Sequence, residues 1–508
     1  MMRRLSIALL GLALLAAPVS ASAEWRRAES EHFVVYGRSD KAVREYVSML
    51  EDFDSVLRRL HKRSEEETKP IKLPIYLVSD LGQLRRIVPG AREGTAGIYI
   101  PATTEVFAIA IRDGASSDND QNRGDDTVMH EYVHHFMLRY FPSAYPAWLV
   151  EGYAEYYMTT DLGWNRFVVG GYNKGRAYTL VAPGSRWVTM GDLLTKRPGE
   201  FGKWETASYY AQAWLLTHYI LSEPERRKKL SPYLEAIRNG QGPVEAWQAI
   251  YGQDMETLRR ALLTYMDKPL PAGALPRVTP AEAQMTVTSL PASADTLLLD
   301  YQRLKLGVAK EEQPKVLEAI RAAAARYPDD RFAKLVRAQA ETQFGDRAAG
   351  EATLNDLLTA DPKDKDVLVV LGESRLMAAD VDTNHRKEIL GEAGKLFARA
   401  FKVDPDDPRV LHGYAEAKQL EPLSDNMVNI RVRAMLLSPQ VGHLRLDAGR
   451  ALIAFKEYDT ARTVLTPLAG SPHGGGESEA AQAMIKALPA TKPAEKAADG
   501  AGGAVRKG

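Results

Sequence analysis

Prolines 328, 362, 405, 439 and 472 punctuate the C-terminal part of this 508-residue chain at intervals of 34, 43, 34 and 33 residues. Each closes an apolar helical stretch, and removing an insertion around residues 379–387 brings every interval near 34. That is the length of a helix-turn-helix repeat, a unit too small to bury its own apolar face. Such a unit must stack on its neighbours, so this part of the chain is confined to an all-α solenoid.

The expected array covers residues 292–487. Residues 449–468 (GRALIAFKEYDTARTVLTPL) read as one tetratricopeptide-like unit, with Ala461 at the small position where paired helices cross. Gly345 and Asp346 separate two helices of another. The tail, 488–508, is rich in Ala, Gly, Lys and Pro and reads as disordered.

The opposite end has the form of an export signal. Arg3 and Arg4 precede an apolar stretch over 5–17, and Ala21-Ser22-Ala23 supplies a small-x-small cleavage pattern. Residues 1–23 are therefore expected to be a signal peptide and the protein periplasmic or secreted. No later apolar stretch is long enough to span a bilayer, so no integral membrane segment is expected after cleavage. Lysine plus arginine equals aspartate plus glutamate at 66 each, and no basic run stands out. Nucleic acid, which needs a concentrated positive face, is not an expected partner. The chain has no cysteine, so a metal site must use nitrogen and oxygen ligands.

Between these ends, residues 24–267 read as a mixed α+β domain. Strands are expected over 31–36, 71–78, 97–100 and 106–111, with a helix over 41–61 whose apolar residues share one face. Asp125 or Asp126 offers a cap to a second helix starting near Thr127. The pattern is then mainly helical to Asp267, and the Pro-rich stretch 268–291 reads as a linker.

The second helix carries the sharpest motif, His130-Glu131-Tyr132-Val133-His134. Histidines at i and i+4 lie about 40° apart around a helix, so both can face one ion. Glu131 beside them is placed to act as general base. The surrounding Val128, Met129, Val133, Phe136 and Met137 put the helix in a core, where two histidines need partners. His135, about 100° further round, is a bystander. Zinc in a hydrolase takes a third protein ligand. After Pro142 and Pro146 comes a helix reading AWLVEGYAEYY, with Glu151 lying 17 residues beyond His134 and Glu155 one turn later. Glu151 is the economical ligand and Glu155 the acceptor for a ligand histidine N–H, with the reverse assignment open.

HEYVHH followed by AWLVEGYAEYY resembles the gluzincin clan of metallopeptidases, the peptidase MA-like superfamily, and bacterial proteins that join such a domain to tetratricopeptide repeats. The resemblance covers roughly residues 25–267, and its specific part is 127–157. It implies a zincin-like domain with a small mixed sheet, an active-site helix and a helical second lobe. It implies zinc held by His130, His134 and Glu151, Glu131 as base, and Glu155 supporting a ligand. It also implies an edge strand that binds extended substrate, for which Val106–Ile111 is the candidate. An oxyanion donor is expected from the helical stretch 207–221, which offers Tyr209, Tyr210 and His218. The resemblance favours Tyr210.

The expected function is thus that of an exported zinc-dependent metallohydrolase, a peptidase acting on peptide or protein substrate, with repeats that recruit substrate or partner. The alternative is a catalytically inactive binding or assembly protein in which the repeats carry the function.

Overall fold

The computed structural model describes residues 24–63, 71–112, 123–277 and 285–489. The signal peptide and residues 490–508 of the expected tail lie outside the described residues.

The chain opens with strands β1 (Arg26–Glu29) and β2 (Phe33–Gly37), followed by α1 (Asp40–Leu60). Ser39 caps this helix by accepting from the Ala42 N–H at 3.0 Å. Next come β3 (Leu73–Val78), α2 (Leu81–Ile87), β4 (Gly97–Pro101) and β5 (Val106–Ile111). Alternation sorts the side chains to two faces. Leu73, Ile75 and Leu77 face a core shared with α1, whereas Tyr76 and Val78 face one shared with α2. In β5, Ala108 and Ala110 face the first core and Phe107 and Ile109 the second. The two alanines keep the first face shallow, and there α3 (Arg123–Tyr140) packs. Its Met129, Tyr132, Val133, Phe136 and Met137 recur at helical spacing and enter that core. Because α3 starts at Arg123, Asp125 and Asp126 fall in its first turn and not at the cap.

The larger sheet has the order β4-β5-β3-β2-β1-β9, where β9 is the later strand Thr286–Ser289, with β2, β3 and β5 parallel and the rest antiparallel. Val106–Ile111, the expected edge strand, is therefore interior. Its hairpin partner β4 pairs Gly97–Pro101 against Val106–Ala110 and takes the edge beside α3.

A second lobe follows: α4 (Ala147–Tyr157), β6 (Asp161–Leu162), β7 (Arg166–Val169), α5 (Lys174–Val181), α6 (Met190–Thr195) and α7 (Lys203–Leu221). Helix α7 is buried almost all round and forms the axis of a second core that includes Trp148, Trp214 and Trp247. Helices α8 to α11 complete it (Pro224–Lys228, Leu230–Arg238, Pro243–Tyr251 and Met255–Met266).

The stretch expected as a linker is built into both sheets. Strand β8 (Gly273–Pro276) pairs with β7, and β9 (Thr286–Ser289) pairs with β1. Strands this short carry too little alternation to stand out beside the prolines. Helix α12 (Ala294–Leu306) then packs Ala294, Leu298 and Leu299 into the core containing Trp25 and Phe107. The expected boundary at residue 292 is consequently bridged by a shared core.

Helix pairs succeed one another from there: α13 (Gln313–Ala324), α14 (Arg331–Phe344), α15 (Arg347–Ala360), α16 (Lys365–Val381), α17 (Arg386–Val403), α18 (Pro408–Ala417), α19 (Asp425–Leu437), α20 (Gly442–Ala454), α21 (Tyr458–Ala469) and α22 (Gly476–Ala487). Consecutive helices pack on each other throughout, and all five prolines lie in turns between helices, as the period predicts. The insertion lengthens helices instead of a loop: α16 and α17 have 17 and 18 residues, against 14 each in α14 and α15. Gly449 lets α20 and α21 touch, since a Cβ there would lie 2.6 Å from Leu465. Among the described residues no helix is long and apolar enough to cross a membrane.

Candidate metal centre

Helices α3 and α4 bring the predicted ligands together. Nε2 of His130 and Nε2 of His134 are 3.1 Å apart. Oε2 of Glu151 lies 3.4 Å from the first and 3.6 Å from the second. An ion with ~2.0–2.1 Å bonds in tetrahedral geometry separates its ligands by roughly 3.3 Å. Glycine fixes the carboxylate's position. A Cβ on Gly152 would lie 2.2 Å from Thr217 Oγ1 and 2.3 Å from the Ala213 carbonyl oxygen, so α4 meets α7 there almost backbone to backbone.

The charges are uneven. Glu151 is fully buried, and neither carboxylate oxygen has a hydrogen-bond partner among the described residues. Burial opposes its ionised form, yet His134 and His130 hold the carboxyl well below the usual carboxylate range. For His134, burial opposes protonation, and the facing Glu151 outweighs it, so its pKa rises. Two histidine nitrogens that face each other and a buried carboxylate without a hydrogen-bond donor among the described residues match the donor set of a nitrogen- and oxygen-binding cation.

Glu155 stands behind this group. Its Oε1 is 3.5 Å from Nδ1 of His130, the ring atom turned away from Glu151. Arg176 on α5 clamps Glu155 from the far side, Nε to Oε2 at 2.8 Å and Nη2 to Oε1 at 2.5 Å. Asn173, which caps α5 by accepting from the Arg176 N–H, also reaches Glu155. Of the two assignments the sequence left open, the geometry favours Glu151 toward the ion and Glu155 behind His130. Neither Arg176 nor Asn173 was singled out for this in the sequence, because only the fold brings α5 against Glu155.

Two cavities flank the cluster. The one on the His130 side, about 480 Å³, is lined by Asp126, Glu155, Arg176 and Tyr210. Burial, and then the charge of Glu151, raise the Tyr210 phenol, whose ring lies under the Arg176 guanidinium at 5.2 Å. Burial, Asp125 and Glu155 push Asp126 up to about 6. Tyr209 and His218, the other donor candidates, are spent elsewhere: the Tyr209 hydroxyl donates to the Lys196 carbonyl, and His218 contacts Tyr265 and the Gly170 carbonyl.

The cavity on the His134 side, about 330 Å³, contains Glu131. Its opposite wall is made by the repeat array, including Gln440, Arg445, Leu468 and His473. Nε2 of His473, in the turn before α22, is 3.6 Å from Glu151 Oε1. Contacts hold this wall in place. Arg197 donates to the Ala469 carbonyl at 3.0 Å, Gln440 Nε2 to the His135 carbonyl at 3.4 Å, and Gly470 sits against Ala144. No spacing rule links residue 473 to residue 134, so the sequence held no signal for this approach. His135 turns to the sheet, where it meets the Tyr99 hydroxyl of β4 at 2.9 Å and stacks on Tyr132.

Among the described residues two other groups of three bring histidine and carboxylate together. One is His32 with Glu51 and Asp54, the other His412 with His443 and Asp447. Both have arginines at the carboxylates: Arg58 on Asp54, and Arg450 on Asp447 with Arg431 nearby. His32 is buried.

No family model and no curated protein matches the chain. Among solved structures it is similar to a tetratricopeptide repeat protein of Thermus thermophilus, at 17% identity over 38% of this chain and 100% of that one, TM-score 0.33. It is also similar to a tetratricopeptide repeat protein from Parabacteroides merdae, at 13% identity over 52% and 94%, TM-score 0.26. The stacked helix pairs and the candidate metal centre stand on their own geometry.

Proposed function

We propose that this chain is a zinc-dependent metallohydrolase acting on peptide bonds, of the zincin-like, gluzincin type. The observation that carries this reading is the convergence of His130, His134 and a buried Glu151 whose oxygens lack hydrogen-bond partners. His130, His134 and Glu151 would hold the ion. Bound there, zinc supplies an acidified water and a polarised carbonyl.

The chain's own groups do the rest. Glu131 takes a proton from the attacking water and returns it to the leaving amine. Glu155, clamped by Arg176, fixes the His130 ring through Nδ1. Tyr210, lining the other cavity, is the donor for charge that develops on the carbonyl oxygen. The free edge of β4 beside α3 offers main-chain pairing to an extended peptide.

The test is metal content of the purified protein beside His134→Ala. About one zinc per chain at this site, lost in the variant, is expected. Retention of that zinc by His134→Ala, or its absence from reconstituted wild type, sinks the reading.

A second reading, a partner-binding protein, has its own support in the stacked helix pairs, which offer an extended surface. Leu436, Leu423 and Leu420 are exposed there. Capture of one partner by wild type but not by Leu436→Asp, with zinc and melting temperature unchanged, supports recruitment. Equal capture by both removes this surface from the account.

A further inference from the structure

Arg445 is the anomaly on the repeat side of the cleft. It lies in the first turn of α20 and is only 4% exposed. Its Nε donates to the Pro439 carbonyl and its Nη1 to the Val464 carbonyl, each at 2.9 Å. No carboxylate pairs with it among the described residues, and Nη2 makes no hydrogen bond there. The half-buried arginines 409, 58 and 176 are matched: Arg409 by Asp407 at 2.7 Å, Arg58 by Asp54 at 2.5 Å, Arg176 by Glu155. Burying a guanidinium against carbonyls alone leaves its charge uncompensated, which is costly and which neutral donors would avoid. Burial by itself brings the Arg445 guanidinium down to about 10. Yet this side chain lines the same cavity as Glu131, His134 and His473.

We propose that Arg445 is the carboxylate-recognising group of this cleft, so that the substrate is a peptide carrying an acidic side chain or its own terminal carboxylate close to the cleaved bond. The word substrate rests on the peptidase reading, whereas the carboxylate site does not. A carboxylate fits better than a phosphate. The single charge of Arg445 is opposed in the same cavity by Glu131, which suits a monoanion and repels a dianion. The two carbonyls hold the guanidinium plane fixed, leaving Nη2 to donate into the cavity. On this account the repeats are one wall of the site and carry its specificity.

The experiment uses the metal-free full chain, which separates Arg445 from any metal-bound carboxylate. Three probes are titrated by NMR: N-acetyl-glutamine with its α-carboxylate, N-acetyl-glutamate α-amide with its side-chain carboxylate, and N-acetyl-glutamine amide with neither. One or both carboxylate probes are expected to bind about tenfold more tightly than the neutral one. The tighter of the two names the source of the carboxylate. Arg445→Met abolishes the preference and Arg445→Lys keeps part of it. Equal binding of all three probes by wild type overturns the proposal, whatever the variants do. So does a preference that survives in a folded Arg445→Met. Failure to hydrolyse any peptide leaves these titrations unmoved and counts only against the peptidase reading.

Discussion

His32, Glu51 and Asp54 gather histidine and carboxylate as His130, His134 and Glu151 do, with ligand-capable atoms within 4.8 Å of one another in each group. The two differ in what surrounds them. Asp54 receives Arg58 at 2.5 Å and the Tyr132 hydroxyl at 2.8 Å, and Glu51 receives both the backbone N–H and Nδ1 of His32. Every lone pair that matters there is answered from within the chain. Glu151 is fully buried, its oxygens have no hydrogen-bond partner among the described residues, and its ionic neighbours are histidines at 3.4–3.6 Å, two of them the other candidate ligands. Proximity of metal-binding residue types is common, and a buried carboxylate without a hydrogen-bond donor is what sets the candidate centre apart.

The largest way to break this contrast is through metal content. Glu151→Gln should lower zinc affinity by several orders of magnitude, because it removes one of three protein ligands and the only anionic one. Glu51→Gln should leave zinc binding unchanged and cost stability instead. Competition with a chelator measures both. Equal losses in the two variants would erase the distinction between the clusters.

Next in size is the effect of Glu131. Glu131→Gln should retain zinc and lose activity by ~10²–10⁴-fold, the range for removal of a general base. Single-turnover hydrolysis of a peptide found by library screening measures it. A variant as active as wild type would remove Glu131 from its role while leaving the metal centre standing. Smaller again is the clamp on Glu155. Arg176→Gln should weaken zinc binding ~10–100-fold by freeing the His130 ring, the usual range for groups behind a ligand. An unchanged affinity would make the Arg176–Glu155 pair purely structural.

How much of this was legible in the sequence follows from the range of each interaction. The helices that carry His130, His134 and Glu151 could be read because helical spacing and an apolar stripe are local, and the repeat period because five prolines recur at near-regular intervals. The edge strand was misassigned because a hairpin pattern does not say which of its strands faces outward. In the fold β4 lies outside β5. The stretch 268–291 was misread because prolines mask two four-residue strands whose partners, β7 and β1, lie over 100 residues away. Arg176, Arg445 and His473 were invisible as site residues for a plainer reason. Each reaches the centre through packing between separate elements, and no pattern in its own segment records that.

The smallest effect tests the other half of the contrast, the cluster around His32. Burial alone would make the His32 imidazole harder to protonate, but the Glu51 hydrogen bond and the Asp54 charge outweigh it, and its pKa lies above the ordinary 6.5. A raised pKa means that the folded state binds the proton more tightly than the unfolded chain. The stabilisation is therefore complete below the unfolded value and fades as pH climbs through the folded one. His32→Gln can still donate to Glu51 but carries no charge. Relative to it, wild type should gain on the order of 1 kcal/mol at about pH 5.5, shrinking toward zero by about pH 9. Paired thermal melts of the two metal-loaded proteins across that range measure the difference. A gap that stayed constant with pH would mean that His32 contributes shape and a neutral hydrogen bond only. The His32 cluster would then not be a pair balanced by charge, and the contrast with Glu151 would have to rest on hydrogen bonding alone.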